Sequence, residues 1–228
     1  MRVFLEVLFV KKKKIVAVFA FVFLLILTGF TAKALLDENF SKTKSFGEIV
    51  SMQKENNDNV IVASYKNHPV TKASVELRKK IFELSEKPES EEIPFTDKSK
   101  YTDREYIDEL IIEMILLEKA TESGLAATDE EVKAQVEATK KLYEENAAAR
   151  LGVTTYCETA GLTIDEYFEA LPSLLAPRIG RGKYQLAFTE KYQNEHPKSD
   201  GIDALQAYED YQRDLLKQCE MDIVYVTP

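Results

Sequence analysis

Thr102-Asp103-Arg104-Glu105-Tyr106-Ile107-Asp108-Glu109-Leu110-Ile111-Ile112-Glu113-Met114-Ile115-Leu116-Leu117-Glu118-Lys119-Ala120-Thr121-Glu122-Ser123-Gly124 is the stretch that decides the fold class. Thr102 with Glu105 three residues on is a capping box. Its hydroxyl and carboxylate satisfy backbone N–H groups that the first helical turn leaves unpaired. Behind it Tyr106, Ile107, Leu110, Ile111, Met114, Ile115, Leu117 and Ala120 recur at helical period and form a wide apolar face, which ends at Gly124. Ile112 and Leu116 are apolar but lie outside that stripe.

The punctuation repeats downstream. Thr128-Asp129-Glu130-Glu131 is a second capping box and opens a more polar helix with Val132, Val136 and Leu142 or Tyr143 on one side, expected to stop near Gly152. A helix of one or two turns is expected around Tyr156 to Ala160, ended by Gly161. Thr163-Ile164-Asp165-Glu166 is a third box, leading into Tyr167, Phe168 and Leu171. Pro172, Pro177, Gly180 and Gly182 interrupt a segment that stays helical in pattern to about Glu195, so a kink or break is expected near Pro172. His196 to Gly201 reads as a turn. Ile202, Leu205, Tyr208, Gln212 and Leu215 mark a last amphipathic helix.

Upstream, residues 88–101 read as a loop. Thr71 is a plausible N-cap for a helix from 72 to about 87, with Val75, Leu77, Ile81, Phe82 and Leu84 as its stripe. Asn67-His68-Pro69 reads as a turn after the β-prone run Val60 to Tyr65, and the chain closes on a second such run, Met221 to Val226. A lone strand cannot satisfy its own backbone, so the economical expectation is that these two runs pair and join the domain's ends. The fold class is mainly α with a small antiparallel sheet.

Composition narrows the function. The chain has 228 residues, 30 basic against 39 acidic, and a net charge of -9. That acidity argues against a nucleic-acid partner. Two cysteines rule out a disulfide scaffold and a four-Cys zinc site. The front end differs from the rest. Lys11 to Lys14 precede Ile15 to Ala32, a run without a charged residue. As a helix it would be about 27 Å long, near the thickness of a bilayer's hydrocarbon core. The lysines hold the N-terminus in the cytoplasm and send the body across. Residues 1–34 are therefore a transmembrane anchor, in the membrane through residues 15–32, or a signal peptide cut at Ala32-Lys33-Ala34. Residues 35–59 are polar and read as a flexible tether, and 60–228 as one domain. The body is expected at the extracytoplasmic face, anchored or secreted.

Three stretches, in order, resemble the N-terminal chaperone region of SurA-like and PrsA-like exported foldases, and more distantly the peptide-binding part of trigger factor. The first is Val62 to Thr71, where that family has a strand, an Asn-Gly turn and an Ile-Thr helix start; here His68 stands where the turn glycine is expected. The second is Leu110 to Leu117 with Ala120, Gly124-Leu125 and Asp129-Glu130-Glu131-Val132. The third is Gly161 to Phe168. The resemblance implies a SurA-like helical chaperone domain. Such foldases commonly carry a parvulin prolyl isomerase domain before the closing helix. Here only the short turn after Glu195 precedes Ile202, and the chain's two histidines are His68 and His196. The resemblance therefore implies holding without isomerisation.

Other chemistry reads as bland. His68 and His196 sit beside prolines with no ligand cluster near them. The basic run Arg178, Gly180, Arg181, Gly182 and Lys183 lacks the spacing and preceding strand of a phosphate loop. Glu89, Glu91 and Glu92 form a solvated acidic run. Cys157 and Cys219 are expected as separate buried thiols, with a disulfide as the alternative. No catalytic residue, metal or cofactor is expected. Tyr167, Phe168, Leu174, Leu175 and Ile179 are the candidate client-binding side chains, an apolar cradle with an acidic rim. The expectation is an ATP-independent holdase for unfolded or newly exported polypeptides. The alternatives are a divergent prolyl isomerase and an adaptor for one folded partner.

Overall fold

The computed structural model describes residues 43–51, 60–84 and 101–226. In chain order these form α1 (43–51), β1 (Ile61–Tyr65), β2 (His68–Thr71), α2 (Lys72–Leu84), α3 (Asp103–Glu122), α4 (Asp129–Glu145), α5 (Ala147–Ala160), α6 (Ile164–Glu195), α7 (Gly201–Gln218), a 3-10 turn (Glu220–Asp222) and β3 (Ile223–Tyr225). The fold is mainly helical with a three-stranded antiparallel sheet of order β2-β1-β3. Among the described residues no helix is long and apolar enough to cross a membrane. The run 15–32 and residues 85–100, which hold nearly all of the expected loop 88–101, lie outside the described residues.

All three capping boxes form. Thr102, Thr128 and Thr163 each accept the N–H three residues on, and donate their own N–H to Glu105, Glu131 and Glu166 at 2.6, 2.9 and 2.7 Å. Each such cap is worth about 1 kcal/mol. The two ends of the domain also meet as expected: Ala63 pairs with Tyr225, Ser64 with Val224 and Tyr65 with Ile223. The ladder extends at both ends, through the Val226 N–H to the Val62 carbonyl and the Lys66 N–H to the Asp222 carbonyl.

The sheet has one strand more than the sequence suggested. His68 and Pro69 are strand, not turn, and the reversal falls on Lys66 and Asn67, with Lys66 in the left-handed region at φ 52°. His68 therefore does not stand at the turn. Pro69 is tolerated because β2 is an edge strand, where a missing N–H breaks no ladder on the outer side.

The core lies between sheet and helices. Ala63, Tyr65, Val70, Val75, Tyr106, Ile111, Ile115, Leu116, Tyr208 and Leu215 form one buried cluster. α3 runs through it, touching the sheet, α2, α6 and α7. Polar clasps fasten its two ends. The Tyr65 hydroxyl donates to Glu118 at 2.7 Å, and Lys66 pairs with the same carboxylate. The Tyr225 hydroxyl donates to Asp108 at 2.8 Å, and the Arg104 guanidinium lies over the Tyr225 ring.

α4 and α5 join the first half of α6 in a second, thinner layer. Three expectations change here. α4 stops at Glu145, not near Gly152, because Asn146 both ends it and caps α5, accepting the Ala149 N–H at 3.0 Å. Gly152 is inside α5, which is 14 residues long instead of one or two turns. Gly161 does end it, at φ 60° and ψ 45°. α6 runs unbroken for 32 residues through Pro172 and Pro177. An interior proline costs about 3 kcal/mol of helix propensity. Here Pro172 and Ser173 face solvent while Leu171, Leu175 and Gly180 are buried, so packing on the other side holds the helix together.

Part of the stretch read as a flexible tether is also ordered. Residues 43–51 are helical, with Gly47 and Ile49 buried. A Cβ on Gly47 would meet Thr159 Cβ at 2.6 Å and the Tyr156 carbonyl at 2.9 Å, so α1 lies directly on α5. The rest of that stretch lies outside the described residues.

Candidate functional site

The five side chains singled out from sequence lie on the first half of α6, but they do not share one environment. Leu175 is only 5% exposed and belongs to the interior, so it is not a contact residue. It is an inward position of a helix that is covered on one side and open on the other. Ile179 is half-buried. Leu174, its neighbour on the open side, is 59% exposed. Tyr167 and Phe168 are half-buried in a ring cluster. Phe168 stands edge-on to Tyr143 at 5.6 Å and to Tyr167 at 5.2 Å, and Tyr167 stands edge-on to Tyr156 at 5.9 Å. Burial pushes the Tyr167 hydroxyl up to about 12. Leu151, on α5, is 53% exposed. Among the described residues no further layer closes over these rings, which stay partly open.

A second concavity was not anticipated. A groove of about 570 Å³ opens between α3, α6 and α7. Tyr101, Ile112, Leu205, Tyr208 and Leu216 give it apolar walls, and Glu105, Asp108, Glu109 and Glu209 line it with carboxylates. Burial, then Glu109, Glu209 and Glu105, push the Tyr101 hydroxyl up to about 12. Arg213 and Lys217 also line the groove and pair with Asp210 and Asp214 of α7, as Asp108 of the groove pairs with Arg104. The groove therefore combines apolar walls with an excess of carboxylates over cations. One signal for it was present in the sequence: Ile112 lies off the main stripe of α3. Leu116, the other off-stripe residue, is buried in the core instead.

The remaining titratable groups serve the fold. Cys157 is buried and Cys219 half-buried, and both are free thiols. Burial raises the Cys157 thiol above its ordinary range. The basic run 178–183 is helical, and two of its members cross-link helices. Lys183 bonds Glu131 at 2.9 Å and the Ala126 carbonyl at 3.0 Å. Arg181 approaches Glu113 at 3.6 Å, which also accepts both guanidinium nitrogens of Arg78. His68 is exposed on β2, and His196 stacks on Tyr192 at 4.3 Å. Among the described residues no grouping of His, Cys, Asp and Glu is suited to hold a metal ion.

Comparison of the chain with family models, with curated proteins and with solved structures gave no match.

Proposed function

We propose that the protein is an extracytoplasmic, ATP-independent holdase with a SurA-like chaperone fold and no isomerase domain, which captures unfolded polypeptide segments near the membrane. The observation that supports this reading best is the groove between α3, α6 and α7, concave, apolar in its walls and edged with carboxylates. Apolar walls hold exposed hydrophobic side chains of any sequence, since desolvation has no directional requirement. The carboxylates keep the empty groove soluble and draw in segments that carry Lys or Arg. Capture of this kind is weak and tolerant, because no fixed partner shape is matched. With residues 15–32 in the membrane, the ten residues 33–42 place α1, and so α5, within about 35 Å of it.

The chain has 11 Tyr and no Trp, so a Trp-bearing unfolded peptide reports its own burial when excited at the red edge of the tryptophan band. Addition of such a peptide to the protein is expected to give a blue shift and an affinity of the order of micromolar. Leu205→Asp, in the groove wall, should weaken it without unfolding the chain. Capture of one folded protein, with no suppression of aggregation of unrelated clients, would replace this reading with that of a dedicated adaptor. Acceleration of proline isomerisation by the pure protein would replace it with that of a divergent isomerase.

A further inference from the structure

We propose that the groove between α3, α6 and α7 selects one class of client segment, a stretch of about five extended residues in which a single Lys or Arg is flanked by apolar side chains, and that Glu209 sets this preference. The inference rests on the holdase reading above and adds a chemical selectivity to it.

Helix geometry sets the apolar part. Leu205, Tyr208, Gln212 and Leu216 recur every three or four residues along α7 and line the groove from one side. Glu105, Asp108 and Ile112 do the same along α3. From Leu205 to Leu216 the wall is about 17 Å long, which an extended chain spans with about five residues. Leu205 is 37% exposed and Ile202, one turn before it, 43%, so this wall is open to an incoming segment.

Charge supplies the second argument. The lining residues together with their ion-pair partners Arg104, Asp210 and Asp214 hold six carboxylates and three cations. Two of the lining carboxylates are committed to the fold. Glu105 accepts from the Thr102 backbone, and Asp108 from Tyr225 and Arg104. Glu209 differs from these: it is half-buried and makes no ion pair with the described residues, because Arg213, one turn further along α7, pairs with Asp210 instead. Glu209, Glu109 and Glu105 all act on the Tyr101 hydroxyl, so their charges converge on one part of the groove. A Lys or Arg head entering there meets a carboxylate that lacks a cation, with the Tyr101 ring beside it. Its aliphatic stem can lie along Leu205, one turn before Glu209. A neutral segment finds the same walls but leaves Glu209 without a counter-ion, and an acidic one sets like charges together.

The test uses the full chain in nanodiscs of neutral lipid, with empty nanodiscs as the blank. The probes are three short Trp-bearing peptides of leucine and alanine that differ only in a central lysine, glutamine or glutamate. The lysine peptide should bind about fivefold more tightly than the glutamine peptide, and the glutamate peptide more weakly than both. Added salt should narrow the spread. Glu209→Lys should abolish the preference for lysine. Glu209→Gln should reduce it without placing a new charge in the groove, and so serves if the lysine disturbs the domain. Glu137→Lys makes the same change of net charge at an exposed site on α4 and should leave the preference intact. Equal binding of the three peptides to the wild type overturns the inference and leaves the holdase reading standing. So does a lysine preference that survives both changes at Glu209, or one that Glu137→Lys also removes. No binding of any of the peptides overturns both.

Discussion

The half of the molecule built from the sheet, α2, α3 and α7 and the half built from α4, α5 and the start of α6 use the same helix-capping grammar and end in different states. In the first, α3 is surrounded, and Ile111 and Ile115 are fully buried. In the second, the buried side chains are mostly small, such as Ala149, Cys157 and Ala160, and the large rings are only half covered. The difference is one of layers. A helix covered on several sides can bury a wide apolar face, whereas a helix in a single layer must leave its outer side to solvent. Large side chains are covered more completely in the first half, while exposed apolar ones occur in both: Ile202, Leu205 and Val224 in the first, Leu151 and Leu174 in the second.

The largest effect that would test this contrast is removal of residues 220–228. That deletes β3, uncovers the Ala63 and Tyr65 edge of β1 and releases the Tyr225 clasp on Asp108 and Arg104. A loss of the order of 5 kcal/mol is expected, enough to unfold a marginally stable chain. Unchanged thermal melting of the truncated protein would mean that the joined ends do not carry the domain.

Paired substitutions give the next largest difference. Ile111→Ala should cost about 2–5 kcal/mol in urea unfolding. Leu174→Ala, at an open position of α6, should change stability by less than about 0.5 kcal/mol. Equal effects at the two sites would erase the distinction between the halves.

Alkaline pH is a weaker lever. Burial first, then hydrogen bonding to Asp108, pushes the Tyr225 hydroxyl up to about 12, and burial does the same to Tyr208. A raised folded-state value means that the contribution of these groups is fully present below the ordinary tyrosine value of 10.0 and is lost as pH rises toward 12. Helicity should therefore fall between these limits, and most tyrosinate absorbance should appear together with that fall. A smooth titration centred near 10.0, complete before any helix is lost, would contradict the burial of these rings.

The smallest effect contrasts two glycines of one helix. Gly152 is interior to α5, and a Cβ there would meet nothing within 4 Å. Gly152→Ala should stabilise α5 by about 0.5–1 kcal/mol. Gly161, with φ 60°, should lose about 1 kcal/mol on the same change. A destabilising Gly152→Ala would place that glycine against a neighbour the structure does not show.

Local signals proved reliable where the chemistry is local. Thr102, Thr128 and Thr163 each find their glutamate within one turn, so the start of a helix is written in four consecutive residues. The pairing of the two terminal runs was also legible, because an unpaired strand has few other places to put its backbone groups. The misread boundaries share a cause. Gly152, Pro172 and Pro177 are poor helix residues by propensity, yet each lies within a helix. Propensity is worth a few kcal/mol at most, and packing along one face of α6 exceeds it.

The sequence by itself thus determined the helical class, the three box-capped starts, the left-handed stop at Gly161 and the closure of the domain by its last strand, since each depends on neighbours a few residues away or on a backbone that must be paired. Only the tertiary structure decided which apolar side chains are surface. Leu174 and Leu175 are adjacent and chemically identical, and one is exposed while the other is core, because α6 turns about 100° between them and only one side of it is covered. The groove, assembled from Tyr101, Ile112, Leu205 and Leu216, and the seating of Gly47 on Thr159 join residues far apart in the chain. No local pattern encodes such proximity; it exists once the helices have chosen their neighbours.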